Sequence, residues 1–303
     1  MAKIGIVGTG NVGANTAFFI AERNIGDVVM YDIQEGMAKG KALDMMEAAP
    51  IRGYQRGIRG SDSFEDVADT DIAVITAGSV REPGMKREDL YLKNVEIVDE
   101  LAGKMKAYDG TVVIATEPVD VMVMRFRETS GLKASRVIGL GGVLDSTRLR
   151  FALGRVLGMA TETISATVIG RHSTRMMPLA EYCRVSGVPV SALMEADELE
   201  AVFEETRNAG DVIVEMSQRA SSYYGPSAAA ADVVQAIAWD TRRILPVSFV
   251  WDGQYGIKDV AMSLPVVLGW TGVVRVLEPE LSEEQVGVLK KSAEELQAIF
   301  CCW

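Results

Sequence analysis

The chain has 303 residues, of which 48% are hydrophobic and 24% charged, enough for two domains of ordinary size or one large α/β unit. A net charge of −11 argues against a nucleic-acid footprint, which needs a basic surface, although a few arginines inside a cleft can still hold a small anion. No basic and apolar leader is evident, no apolar run reaches bilayer length, and three cysteines make no disulfide framework. A cytoplasmic location without membrane partners is therefore expected, with Cys183 a small buried hydrophobe rather than a nucleophile.

In chain order, the short β-branched runs Lys3–Val7, Val28–Asp32, Asp71–Thr76, Thr111–Thr116 and Val137–Ile138 predict buried strands. Helical periodicity fills the gaps at Val12–Arg23, Gly36–Ala48, Arg87–Lys106 and Val119–Glu128. Such alternation predicts right-handed βαβ units and a parallel, doubly wound sheet. From about Gly141 the texture changes. A long helix, Val143–Leu157, leads to a strand ending at His172, then to helices over roughly 197–219 and 227–241. Antiparallel strands follow at Leu245–Val250 and Val260–Leu264, and a terminal helix at Glu283–Phe300 has Ser282 as N-cap. The expected division is a nucleotide-binding region over 1–140 and a mixed α+β region over 141–303.

Gly8-Thr9-Gly10-Asn11-Val12-Gly13 follows the first strand and opens the first helix, and Asp32 ends the next strand 19 residues after Gly13. In that context the glycines have separate tasks. Gly8 allows the tight turn, Gly10 lets backbone approach a pyrophosphate, and Gly13 lets helix and strand pack closely. The backbone N–H groups around Asn11 and Val12, at the helix N-terminus, would face the phosphates. Asp32 would accept hydrogen bonds from a ribose diol and repel a 2′-phosphate, which selects NAD over NADP. This is the signature of a Rossmann-type sheet.

Past the strand ending at Thr76-Ala77-Gly78, Arg81 and Arg87 flank a Pro83-Gly84 turn, at the sheet edge where α/β proteins bind ligands. The chain's single histidine, His172, is its only side chain with an unperturbed pKa near neutrality. If an imidazole does acid–base work here, it is this one.

Together with Gly8–Gly13, Asp32, His172 and the Arg81–Leu90 segment, Asn94, Leu144-Asp145-Ser146-Thr147-Arg148, Gly225-Pro226 and Gly253-Gln254-Tyr255-Gly256 occur in order along the chain. In these motifs the sequence resembles the lactate/malate dehydrogenase family, specifically the malate dehydrogenases that are similar to lactate dehydrogenase. The resemblance implies that His172 exchanges the hydroxyl proton of a 2-hydroxy acid while Asp145 orients the ring. It implies that Arg148 grips the C1 carboxylate and that Arg87 polarises the reacting carbonyl. Asn94 and Ser222 would line the pocket, and Ala77, Gly78, Asn94, Thr116 and Glu117 would lie along the cofactor. An arginine at position 81, where lactate dehydrogenases typically have Gln, implies a dicarboxylate, malate or oxaloacetate, because pyruvate would leave that cation unpaired. The family also implies a homodimer or homotetramer. No metal is expected.

Two departures stand out. The family's Asn-Pro-Val-Asp is Glu117-Pro118-Val119-Asp120 here, and its Gly-x-His-Gly-Asp is Gly170-Arg171-His172-Ser173-Thr174. One added negative charge and two added positive ones, Arg171 and Arg175, predict that an arginine neutralises Glu117. If Glu117 instead sits unpaired near His172, it should favour the imidazolium and move the pH optimum upward. The leading expectation is an NAD-dependent malate dehydrogenase. The alternatives are a dehydrogenase of another 2-hydroxy acid and an NAD-binding protein of this type without efficient turnover.

Overall fold

The computed structural model describes residues 1–79, 87–217 and 222–301, with backbone only for 87–90. The first half folds as β1 (Lys3–Val7), α1 (Asn11–Glu22), β2 (Asp27–Tyr31), α2 (Met37–Arg52), β3 (Ile58–Ser61), α3 (Glu65–Ala68), β4 (Ile72–Ile75), α4 (Arg87–Lys104), β5 (Thr111–Ile114), α5 (Val119–Ser130) and β6 (Val137–Gly139). The second half begins with α6 (Gly141–Leu157), β7 (Ile164–Ser165), β8 (Val168–Ile169), β9 (Met177–Pro178), β10 (Arg184–Val185) and β11 (Val188–Pro189). It continues with α7 (Ala196–Ser217), α8 (Tyr224–Ala238), β12 (Ile244–Asp252), β13 (Lys258–Gly269), β14 (Gly272–Val276) and α9 (Glu283–Cys301).

One nine-stranded sheet runs β14-β13-β12-β6-β5-β4-β1-β2-β3. Its segment from β3 to β6 is parallel and has the doubly wound Rossmann order, with the chain reversing direction across the sheet between β1 and β4. The inner strands β4, β5 and β6 are buried at every position, which is why they read as unbroken apolar runs rather than alternating ones. β12 joins β6 antiparallel through Ser248 and Gly139, so the antiparallel β12–β14 hairpins extend the same sheet. A second apolar cluster, including Leu149, Leu153, Val168, Cys183, Val202 and Phe203, fills the space between α6 and α7.

Where the sequence pattern was weak, the structure differs from it. β3 (Ile-Arg-Gly-Ser) carries one large apolar residue and is recruited as a strand by pairing with β2. β14 and the two-residue strands β7 to β11 are likewise set by partners too distant to read locally. The strand expected to end at His172 stops at Ile169, because Gly170 turns at φ +84° and pairs with Ser263 of β13. The N-terminus of α9 is as expected and goes further: Gln285 N–H donates to the Ser282 hydroxyl, and the Gln285 amide oxygen accepts from Ser282 N–H. This is a reciprocal capping box. Cys183 is fully buried, and burial pushes its thiol up to about 11. No helix among the described residues is long and apolar enough to cross a membrane.

Candidate active site

The glycine turn between β1 and α1 has the geometry its composition requires. Gly8 adopts φ +88°, and a Cβ there would fall 2.6 Å from the backbone of Ala77. A Cβ on Gly13 would lie 2.0 Å from the Gly8 carbonyl oxygen, so α1 can approach β1 only through glycine. Gly10 is different: its Cβ direction is open, and it caps α1 without any side-chain hydrogen bond. The first N–H groups of α1, at Asn11 and Val12, therefore end without a side-chain cap. That open, uncapped helix start fits the phosphates of a dinucleotide.

Asp32 follows β2 and accepts from Thr9 N–H at 2.6 Å, the Thr9 hydroxyl at 2.8 Å and Gln34 N–H at 3.0 Å. Burial alone would raise its pKa, but these donors and the Lys41 charge hold it below the usual carboxylate range. Opposite the turn, Thr76 donates to the Gly8 carbonyl at 2.7 Å and Thr116 donates to the Ala77 carbonyl at 2.7 Å. Asn94 of α4 bridges the two edges: its side-chain oxygen accepts from Ser79 N–H and its amide donates to the Glu117 carbonyl, both at 2.7 Å. A Cβ on Gly78 would meet Thr116 and Asn94, so these residues form one packed wall.

The second half supplies the candidate acid–base group, His172. Ser263 of β13 is the shared anchor: its hydroxyl accepts from Gly142 N–H at the start of α6, and its backbone pairs with Gly170. That anchor brings α6 and the His172 turn together. Asp145 Oδ2 lies 2.8 Å from His172 Nδ1, and Arg148 Nη1 lies 3.7 Å from Asp145 Oδ1 on the same helix face. Asp145 is 1% exposed, which leaves the imidazole as the hydrogen-bond partner of its carboxylate. Ser222 is half-buried close to Gly225 and Leu144, near the start of α6. Arg81 and the Arg87 side chain lie outside the described residues.

The expected neutralisation of Glu117 by Arg171 or Arg175 does not occur. Arg171 and Arg175 both pair with Glu295 of α9, at 3.1 and 2.6 Å. They are drawn there because α9 presents a partly buried carboxylate beside the loop. Glu117 turns the other way, placing Oε1 3.3 Å from His172 Nε2 and accepting from Val119 N–H on Oε2 at 3.2 Å. Burial opposes a charged imidazole, but Asp145, Glu117 and their hydrogen bonds outweigh it and raise the His172 pKa well above its usual value. The atoms packed around Glu117 also oppose its ionisation, although its side chain remains 54% exposed. The His172 charge and hydrogen bond, Val119 N–H and the Arg148 charge nevertheless hold that carboxyl below its usual range.

Asp120 is a site residue that the sequence reading passed over. Its two oxygens accept from His172 N–H at 2.8 Å and from the Ser248 hydroxyl at 2.6 Å, so it fixes the backbone beneath the imidazole. Burial pushes its carboxyl up to about 6, against the Ser248 and His172 hydrogen bonds and the His172 charge. The available signal was an aspartate in the first turn of α5, among apolar neighbours that are themselves buried.

The chain is similar to known proteins over nearly its whole length. Residues 2–139 match the model of the lactate/malate dehydrogenase NAD binding domain, and residues 142–302 match that of the lactate/malate dehydrogenase alpha/beta C-terminal domain. A malate dehydrogenase of Desulforudis audaxviator is 40% identical over 299 residues, covering 98% of this chain and 97% of that protein. One of Chlorobium chlorochromatii is 41% identical over 295 residues, covering 96% and 95%. Among solved structures, Cryptosporidium parvum malate dehydrogenase superposes with a TM-score of 0.94 at 34% identity, covering 99% of this chain and 98% of that one. The lactate dehydrogenase of the same organism, complexed with lactic acid and nicotinamide adenine dinucleotide, also reaches 0.94, at 32% identity and with 99% and 97% covered. Equal superposition on both means that the backbone alone does not separate a malate from a lactate dehydrogenase. With both halves matched by its models, this chain belongs to the lactate/malate dehydrogenase family.

Proposed function

We infer that this protein is an NAD-dependent dehydrogenase that interconverts (S)-malate and oxaloacetate. The observation that carries the reading is the Asp145–His172 pair at 2.8 Å, with Arg148 beside it on α6. The near-40% identity to malate dehydrogenases over almost the full chain supports the same reaction.

The dinucleotide would be held by the Gly8–Gly13 turn at its pyrophosphate and by Asp32 at its ribose diol, and it supplies the hydride exchanged at C2 of the acid. Three donors already reach Asp32, and a carboxylate has about four lone-pair sites, so it keeps capacity for a hydroxyl. His172 takes the hydroxyl proton at Nε2 during oxidation and returns it to the carbonyl oxygen during reduction. Asp145 holds Nδ1–H, fixing the ring and stabilising its protonated form. Arg148 receives the C1 carboxylate through its planar fork. Arg81 receives the second carboxylate and Arg87 polarises the carbonyl, both roles resting on the sequence motif alone.

The test is NADH oxidation with oxaloacetate, pyruvate and other 2-oxo acids. Turnover of oxaloacetate well above pyruvate is expected, and His172→Ala should lower it about 10²–10⁴-fold while NADH binding stays nearly unchanged. Preference for another 2-oxo acid would replace the substrate, and NADH binding without turnover of any acid would replace the activity.

A further inference from the structure

We propose that Glu117 is a built-in competitor of the substrate: its carboxylate occupies the reacting nitrogen of His172 until an anionic 2-oxo acid displaces it. The proposal rests on the dehydrogenase reading above and adds a residue that sets affinity. Both ring nitrogens of His172 are engaged, Nδ1 by Asp145 at 2.8 Å and Nε2 by Glu117 Oε1 at 3.3 Å. A substrate oxygen needs the Nε2 position, and two oxygens cannot hold it together.

The charges around Glu117 decide what it competes for. From α6 come Arg148 and Asp145, from α5 Asp120, and from the turn after β8 His172. Arg171 and Arg175 are paired with Glu295 of α9, and Asn94 of α4 meets Glu117 through a neutral amide. The cations acting on Glu117 among the described residues are therefore His172 and Arg148. These are the two groups the substrate needs for its carbonyl oxygen and C1 carboxylate.

Displacement is sterically available. The Glu117 side chain is 54% exposed while the imidazole is 13% exposed, so the carboxylate can turn into water and the ring cannot. Its backbone stays fixed by Asn94, which confines the movement to the side chain. A carboxylate tethered this close competes at an effective concentration of about millimolar or above, within the range where substrates of such enzymes act. Deprotonating His172 would remove the cation that both carboxylates seek, so anion binding should weaken as pH rises through the raised His172 value.

The single histidine makes the test direct, because the ring signal in an NMR spectrum belongs to His172. That signal is followed against pH in the wild type, Glu117→Gln and Glu117→Asn. Oxaloacetate is then titrated into each in the presence of NAD, a combination that cannot turn over. Both variants are expected to titrate at least about one pH unit lower, a tenfold change in proton affinity. Where the ring is protonated, both should also bind oxaloacetate about tenfold more tightly, with the loss of binding at higher pH setting in at least about one unit earlier, and the KM for oxaloacetate should fall more than kcat changes. Unchanged or weaker oxaloacetate binding in both variants overturns the proposal, as does an unmoved ring titration. Absence of turnover in every protein overturns the dehydrogenase reading instead, and the ring signal still reports whether Glu117 competes.

Discussion

Thr9 gives both its backbone N–H and its hydroxyl to one oxygen of Asp32, at 2.6 and 2.8 Å. The glycine turn and the end of β2 are thereby locked to each other, and the carboxylate stays ionised at the place where a ribose would sit. Replacing Asp32 with Ser should remove the charge that repels a 2′-phosphate. NADPH affinity should rise about tenfold and NADH affinity fall, whereas Asp32→Asn, which keeps an acceptor for Thr9, should hold the turn in place. Fluorescence titration of both nucleotides measures this, and an unchanged preference in Asp32→Ser would remove Asp32 from cofactor selection.

Asp120 supports His172 from below, and its two substitutions should separate charge from hydrogen bonding. Asp120→Ala strands His172 N–H and the Ser248 hydroxyl, a loss of about 1–3 kcal/mol of stability. Asp120→Asn keeps an acceptor and should cost less. Because burial raises this carboxyl to about 6, ionising it weakens the native state as pH climbs from about 4 through that value. Melting curves across that interval should be flatter for Asp120→Asn than for the wild type.

Glu295 joins the terminal helix to the turn that carries His172, through Arg171 and Arg175, which flank the histidine in sequence. Arg175 and Glu295 are substantially solvated, so the network should contribute under about 1 kcal/mol to global stability. Its effect should instead fall on the turn. Glu295→Ala is expected to lower kcat several-fold with little change in melting temperature or NADH binding, and Glu295→Gln should recover part of the loss. An unaltered kcat in Glu295→Ala would reduce the clamp to a surface contact.

The Glu117–His172 pair should also be visible in stability. The raised His172 value contributes stability that is complete below the unfolded pKa of about 6.5 and is lost as pH rises through the folded value. The lowered Glu117 value contributes above about 4.3 and is lost as pH falls through its folded value. The melting temperature of the wild type relative to Glu117→Gln should therefore peak between about pH 4.5 and 6.5 and shrink on both sides. A difference independent of pH would show that the carboxylate contributes only packing there.

Local pattern was enough for the parallel half of the sheet. β1, β4, β5 and β6 are apolar on both faces, and the Gly8–Gly13 turn can be made only where glycines permit it. The Asp145–Arg148 spacing placed both groups on one helix face, and the lone histidine narrowed the acid–base candidates to one residue. What composition could not decide was pairing between charges far apart in the chain. For Arg171 and Arg175 both Glu117 and Glu295 were candidate partners, and Glu295 of α9, 124 residues from Arg171, captured both. Glu117 met His172 instead, across 55 positions, because Gly170 pairs with Ser263, Ser263 with Ser248, Ser248 with Gly139 and Gly139 with Ile114 of β5, which brings the two turns together. Residue type sets which charges can pair, and the packing of distant elements sets which ones come within reach.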